Sequence, residues 1–304
     1  MNRRLRVAVL EVAIATHGRH ARRHAIVGAL HTTTLTMPRI AAVSLIGLML
    51  TACAASQGTP PAPSAQPSVQ QQAVMASAPA ATDFIADAIA DSNRPVEDSV
   101  RDAQRKPADM LAFAQVQPGQ RVVDFIPGGG YFTRLLAKAV GPDGHVYAAS
   151  PPPPSNSSGP SPIDAITTNP TYANVSVVLL AGPFSTPEPV DLIWTAQNYH
   201  DLHLARLKVD VPAMNKSLFD ALKPGGLLVI VDHAALAGTG LDVPDKLHRI
   251  DEEIVKREVT AAGFVLESSS DLLRNSADSR SVMVFDPAIK GHTDQFVLRF
   301  RKPQ

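Results

Sequence analysis

The sequence predicts an α/β sandwich: a doubly wound, mostly parallel sheet of seven strands with helices on both faces. Three observations carry this. The apolar runs around Val122, Val123 and Phe125, and from Leu227 to Val231, are nearly continuous rather than alternating, as strands covered on both faces require. Strand and helix signals alternate along the chain, and right-handed crossovers pack that pattern into a parallel sheet. One strand also runs through Asp124 straight into Gly128, Gly129 and Gly130 and then into a helical period. Such a turn lets the backbone bend sharply and aims the free N–H groups of the next helix at a ligand.

The elements follow in order. Residues 84–90 and 96–103 read as helices, with Pro95 suited to a first helical position. Lys106 and Pro107 open a helix that runs to Gln115, and Pro118 and Gly119 form the turn that follows it. Strand 121–125 leads through the glycines to a helix over 131–140, a turn at 141–144 and strand 145–149. Residues 150–162, rich in proline and serine, read as an irregular loop. Strands 175–180 and 190–195 come next, then a helix over 212–222 ended by Lys223, Pro224, Gly225 and Gly226. Strand 227–232, a helix over 251–262 and strands 264–270 and 296–301 finish the fold, with the last strand expected to be antiparallel.

Composition narrows the function. Of 304 residues, 28 are Lys or Arg and 28 are Asp or Glu, so the formal net charge is zero, which argues against a nucleic acid partner. The single cysteine, Cys53, excludes an intramolecular disulfide and a cysteine-rich zinc site. Residues 40–50 are almost all apolar and lead into Leu50, Thr51, Ala52 and Cys53, a run too short to span a bilayer. It resembles the lipobox of bacterial lipoproteins, which implies a lipidated Cys53 as membrane anchor. Ala54 after the cysteine implies the outer membrane, with the protein facing the periplasm of the cell envelope. Translation is expected to begin at Met37, with residues 1–36 outside it or a basic extension, and residues 37–53 form the signal segment. Residues 54–82 are mostly Ala, Pro, Ser, Gln and Gly with no hydrophobic period, and read as a disordered tether before a domain over 83–304.

The glycine turn after Asp124, the Pro118–Gly119 turn before its strand, and Leu222, Lys223, Pro224, Gly225 and Gly226 before the fifth strand together resemble the class I S-adenosylmethionine-dependent methyltransferases. More narrowly, the chain is similar to a group of exported bacterial members. The shared stretches are Arg105 to Pro107, Pro127 to Arg134, Gln197 to Asp201, Asp232 with His233, His248 to Asp251, and the closing run from Thr293. The resemblance covers residues 94–303 and implies a Rossmann-like fold, with S-adenosylmethionine as cofactor. It places Asp124, Gly128, Gly129 and Gly130 near the cofactor's amino and carboxylate groups, with Tyr131, Ser150 and Asn198 as further binding residues. Two departures stand out. Ile126 occupies the place of the first motif glycine, and Ser150, followed by four prolines, replaces the acid that normally holds both ribose hydroxyls. Losing a charged bidentate contact costs roughly 1.5–3 kcal/mol, or about tenfold to a hundredfold in affinity.

After the fourth strand, Asn198, Tyr199, His200 and Asp201 gather an amide, a phenol, an imidazole and a carboxylate where the resemblance implies that the methyl acceptor lies. His200 is the expected base, Asp201 its orienting group and Tyr199 a further catalytic candidate. His200, His203, His233 and His248 offer imidazoles for a metal, with His200 and His203 spaced for one helical face, but no further pattern supports a site and no metal is expected. Arg101, Asp102, Arg105 and Lys106 read as a solvated helix face, with a pocket-lid role as the alternative. No Gly-x-Ser-x-Gly elbow occurs, and the turn lacks the Gly-x-Gly-x-x-Gly spacing of a dehydrogenase. The expectation is therefore methyl transfer to a small molecule or envelope component. The competing expectation is a non-catalytic envelope lipoprotein with a repurposed pocket.

Overall fold

The computed structural model describes residues 83–153 and 159–304. The expected start at Met37, the signal segment with Cys53, the tether and part of the proline loop lie outside the described residues. Among those residues no helix is long and apolar enough to cross a membrane.

The elements are α1 (Asp83–Ile89), α2 (Val96–Ser99), α3 (Asp102–Arg105), α4 (Pro107–Phe113), β1 (Arg121–Phe125), α5 (Tyr131–Val140), β2 (His145–Ser150) and α6 (Asp164–Thr167). They continue with β3 (Val175–Leu179), β4 (Val190–Ala196), α7 (Val211–Ala221), β5 (Leu222–His233), α8 (Val243–Leu247), α9 (Glu252–Ala261), β6 (Val265–Ser270) and β7 (Gln295–Arg301). The strands form one seven-stranded sheet in the order β3-β2-β1-β4-β5-β7-β6. Strands β1 to β5 pair in parallel, whereas β7 lies antiparallel between β5 and β6. This is the Rossmann-like, doubly wound arrangement that the sequence predicts. The order reverses between β1 and β4, so the crevice beyond their carboxyl ends is where such a sheet receives a ligand.

Both faces of the sheet are covered, which explains the unbroken apolar strands. Val122, Leu192, Trp194 and Val229 pack with Met110, Leu111, Leu135 and Leu136 of α4 and α5. Their strand neighbours Val123, Ile193 and Leu228 pack on the other face with Leu218 of α7 and Val255 and Val259 of α9. Successive residues of one strand thus enter opposite cores.

Three details depart from the sequence reading. The helix expected over 96–103 is two short pieces. Lys223 to Gly226, read as a terminating turn, lie within β5, where a register irregularity between Val190 and Leu192 absorbs them. The short helices α6 and α8 were not anticipated, because four or five residues carry no periodic signal. Asp251 caps α9 as a bond from Glu253 N to its side chain (3.0 Å), and its second carboxylate oxygen also holds Gly238 N (2.7 Å).

The loop between β6 and β7 is fixed by a buried ion pair. Arg249 grips Asp278 through both guanidinium nitrogens (2.8 and 3.1 Å) and donates to the carbonyls of Ala234 and Val282. Removing one partner of such a pair strands the other without compensation. Arg249→Ala is therefore expected to lower stability by about 3 kcal/mol or more, read from chemical denaturation. A loss below about 1 kcal/mol would show that water replaces the pair.

Candidate functional site

The turn after β1 carries backbone strain. Ile126 sits in the left-handed region at φ 59°, where a β-branched residue is an outlier and the cost is about 1–2 kcal/mol. Its side chain is only 5% exposed and belongs to the core beneath the sheet, which holds it there. Its N–H donates to Ala149 O (2.9 Å), and its carbonyl accepts from Asn198 Nδ2 (2.8 Å). Across the switch point, Gln197 after β4 is also left-handed (φ 65°), and its N–H is held by Val231 O (2.7 Å). Residues fixed in sparsely populated conformations concentrate at ligand sites, and both of these line one cavity.

The three glycines differ in role. A Cβ added to Gly128 or Gly129 would meet no atom within 4 Å, so their backbone borders open space. A Cβ on Gly130 would come within 2.1 Å of Ile166 Cδ1, so Gly130 is required by the packing of α6. Gly128 and Gly129 line the cavity together with Asp124, Tyr131 and Asn198, and its volume is about 140 Å³. Ser150 is not among the lining residues. It ends β2, pairs with Leu179, and its carbonyl accepts from Leu180 N (2.9 Å).

Asp124 is buried and accepts from Thr133 Oγ1 (2.6 Å). Burial pushes its carboxyl up to about 7, against the pull of the Thr133 bond and the Arg105 charge. Arg105 forms the opposite wall. It donates to Gln197 Oε1 (2.8 Å) and stacks on Tyr131, 4.7 Å from the ring centroid. Burial lowers its guanidinium to about 10, with repulsion from Arg101 adding to the effect. Tyr131 is thus enclosed by arginines, and its hydroxyl donates to Asp102 (2.6 Å), which Arg94 grips with two nitrogens (3.0 and 2.6 Å). Arg101 and Arg134 both hold Asp98 (2.7 Å each). Of the stretch read as a solvated face, Arg101 and Arg105 thus roof the cavity, while Lys106 stays exposed and donates to Leu272 O (2.7 Å). Charged residues at helical spacing look like surface, and only the long-range stacking on Tyr131 reveals their place.

Beyond Asn198, the 3-10 turn Tyr199–His203 carries the polar cluster. Tyr199 points into the core: its hydroxyl accepts from Asn215 Nδ2 (2.7 Å) and donates to Glu258 (3.1 Å). Burial, with the Glu258 charge, raises the phenol well above its ordinary value. His200 takes its orientation from Asp232, not from Asp201. Its Nδ1 lies 2.8 Å from Asp232 Oδ1 and its backbone N–H donates to Asp232 Oδ2 (2.7 Å). Burial would lower the His200 pKa, but the charge and hydrogen bond of Asp232 outweigh it and hold the group above its ordinary value. Its Nε2 faces Asp201 Oδ1 at 3.4 Å. Next along β5, His233 donates its N–H to Asp232 and pairs through Nδ1 with Thr293 Oγ1 (2.7 Å each), while burial drives its pKa down to about 3.

The raised pKa of Asp124 sets a pH dependence. A carboxyl that titrates higher when folded than when unfolded gives stability that is present below the unfolded value, near 3.8, and lost as pH rises through about 7. Asp124→Asn keeps an acceptor for Thr133 and removes that loss. Its unfolding free energy at pH 8 is expected to exceed that of the wild type by on the order of 2–4 kcal/mol, read from chemical denaturation, with the gap closing towards pH 4. A gap independent of pH would place the carboxyl in contact with solvent.

No known family model matches the chain, and no curated protein matches it. Among solved structures it is similar to a SAM-dependent methyltransferase from Aquifex aeolicus, with 18% identity, 66% of this chain and 98% of that one covered, and a TM-score of 0.45. It is similar to an S-adenosylmethionine-dependent methyltransferase from Mesorhizobium loti, with 17% identity, coverage of 66% and 99%, and a TM-score of 0.45. It is also similar to the [4+2]-cyclase SpnF, with 17% identity, coverage of 70% and 84%, and a TM-score of 0.46.

Proposed function

We propose that the chain is an S-adenosylmethionine-dependent methyltransferase that acts on a small molecule or envelope component. The observation that carries this reading is the cavity at the carboxyl ends of β1 and β4. There, an open glycine backbone, a buried acid and a half-buried arginine converge. These residues suit the amino-acid end of the cofactor: Asp124 is an acceptor for its ammonium, and Arg105 with the glycine N–H groups is a donor set for its carboxylate. When bound, the cofactor supplies a methyl group on a sulfonium. Tyr131 and Phe132 close that end against water, and Asn198 ties the turn after β4 to the glycine turn. The acceptor belongs beside His200 and Asp201, on the same sheet edge. Cys53 would anchor the domain to the outer membrane through its tether, facing the periplasm.

The cavity's 140 Å³ is below the roughly 300 Å³ of a typical small-molecule site, so the adenosine half would lie beyond it, towards Ser150. That size, with Ser150 in place of an acid, favours a second reading in which the fold holds a smaller ligand and transfers no methyl group. Calorimetric titration of the full chain with S-adenosylhomocysteine separates the two. Saturable binding is expected, weakened at least about tenfold, or ~1.4 kcal/mol, by Gly129→Val, whose side chain would fill open space without a left-handed backbone to strain. A folded protein that takes up none of this ligand would sink the methyltransferase reading and leave the second.

A further inference from the structure

We propose that His200, Asp201 and His248 form a binding site for a divalent transition-metal ion at the mouth of the acceptor region. One ligand atom from each residue lies within 4.8 Å of the other two. Asp201 Oδ1 is 3.4 Å from His200 Nε2 and 3.8 Å from His248 Nδ1. Tetrahedral coordination at about 2.1 Å sets ligand atoms about 3.4 Å apart, so side-chain rotations of a few tenths of an ångström to about one ångström complete the triad.

Three features suit a metal better than an ordinary hydrogen-bonded cluster. Asp232 occupies Nδ1 of His200 and fixes the ring so that Nε2 faces Asp201, the carboxylate–histidine relay that supports metal-bound imidazoles. His248 is held in the left-handed region (φ 52°) at the end of α8, a strained position that aims its ring across the 3-10 turn at His200, with 5.4 Å between centroids. Burial falls across the set, from His200 at 3% side-chain exposure through Asp201 at 16% to His248 at 24%, so the triad opens to solvent on one side. Coordination positions there remain for water or a substrate.

Two imidazoles and one carboxylate favour zinc, cobalt, nickel or ferrous iron over magnesium or calcium. Arg206, whose charge reaches Asp201, opposes the ion and limits its affinity. The metal site stands on its own geometry. Only its task, lowering the pKa of a bound acceptor hydroxyl or thiol in place of the base expected at His200, rests on the methyltransferase reading.

The test is a titration of chelator-treated, full-length protein with Co²⁺, followed by visible absorption and calorimetry. The wild type is expected to bind one ion more than His248→Ala and Asp201→Asn, with a d–d band that Zn²⁺ removes and an affinity at that site at least about a hundredfold above either variant. His292→Ala should match the wild type, so the comparison isolates this triad from histidines elsewhere in the chain. Equal stoichiometry and affinity in the wild type and both variants, or no absorption band at all, overturns the site. S-adenosylhomocysteine binding is measured separately, so either reading can fail while the other stands.

Discussion

The carboxyl edge of the sheet depends on one buried carboxylate. Asp232, at the end of β5, accepts the backbone N–H of His200, faces the Nδ1 of the same residue, and accepts the N–H of its own neighbour His233. An unpaired carboxylate in that position would be costly, and the three contacts distribute its charge over groups that the fold must position anyway. The turn after β4 is thereby fixed to β5. That turn carries Asn198, which reaches back to the carbonyl of Ile126 and fixes the turn after β1. One side chain therefore governs the relation between the two strand ends that border the cavity, and also the direction of the His200 ring.

The second determinant is charge in the roof. Arg94, Arg101, Arg105 and Arg134 meet Asp98, Asp102 and Tyr131 in a network with several members shielded from water. Bidentate and stacked arginines hold geometry better than lysines would, because the planar guanidinium presents its donors in a fixed fork. The short helices α2 and α3 have too little apolar surface to dock by burial alone. Their position over the glycine turn follows from these directed contacts.

Much of the architecture was legible in the sequence because it is written in local patterns. The strands from 121 to 232 are apolar runs bounded by glycine and proline, and the glycine turn identified the ligand edge. What was not legible depends on partners far along the chain. Tyr199 looked like a reactive phenol at a strand end, yet its partner Glu258 lies on α9 and draws it into the core. The carboxylate that orients His200 is 32 residues away, whereas Asp201, its neighbour in sequence, faces the opposite nitrogen. Gly130 stands in sequence like Gly128 and Gly129, and only the fold shows that a Cβ there would also collide with Ile166, 36 residues on.

Ile126 shows a buried side chain outweighing a strained backbone. A glycine there would relieve the roughly 1–2 kcal/mol of a left-handed L-residue, but would vacate an isoleucine-sized volume in the core, at a cost of about 2–5 kcal/mol. Burial outweighs strain, so glycine at this position would lower stability although it eases the backbone. Only a coordinated enlargement of neighbours such as Ala149 would offset the lost volume. The side chain acts as a wedge: the core it fills holds the turn in a conformation that the backbone alone would not favour.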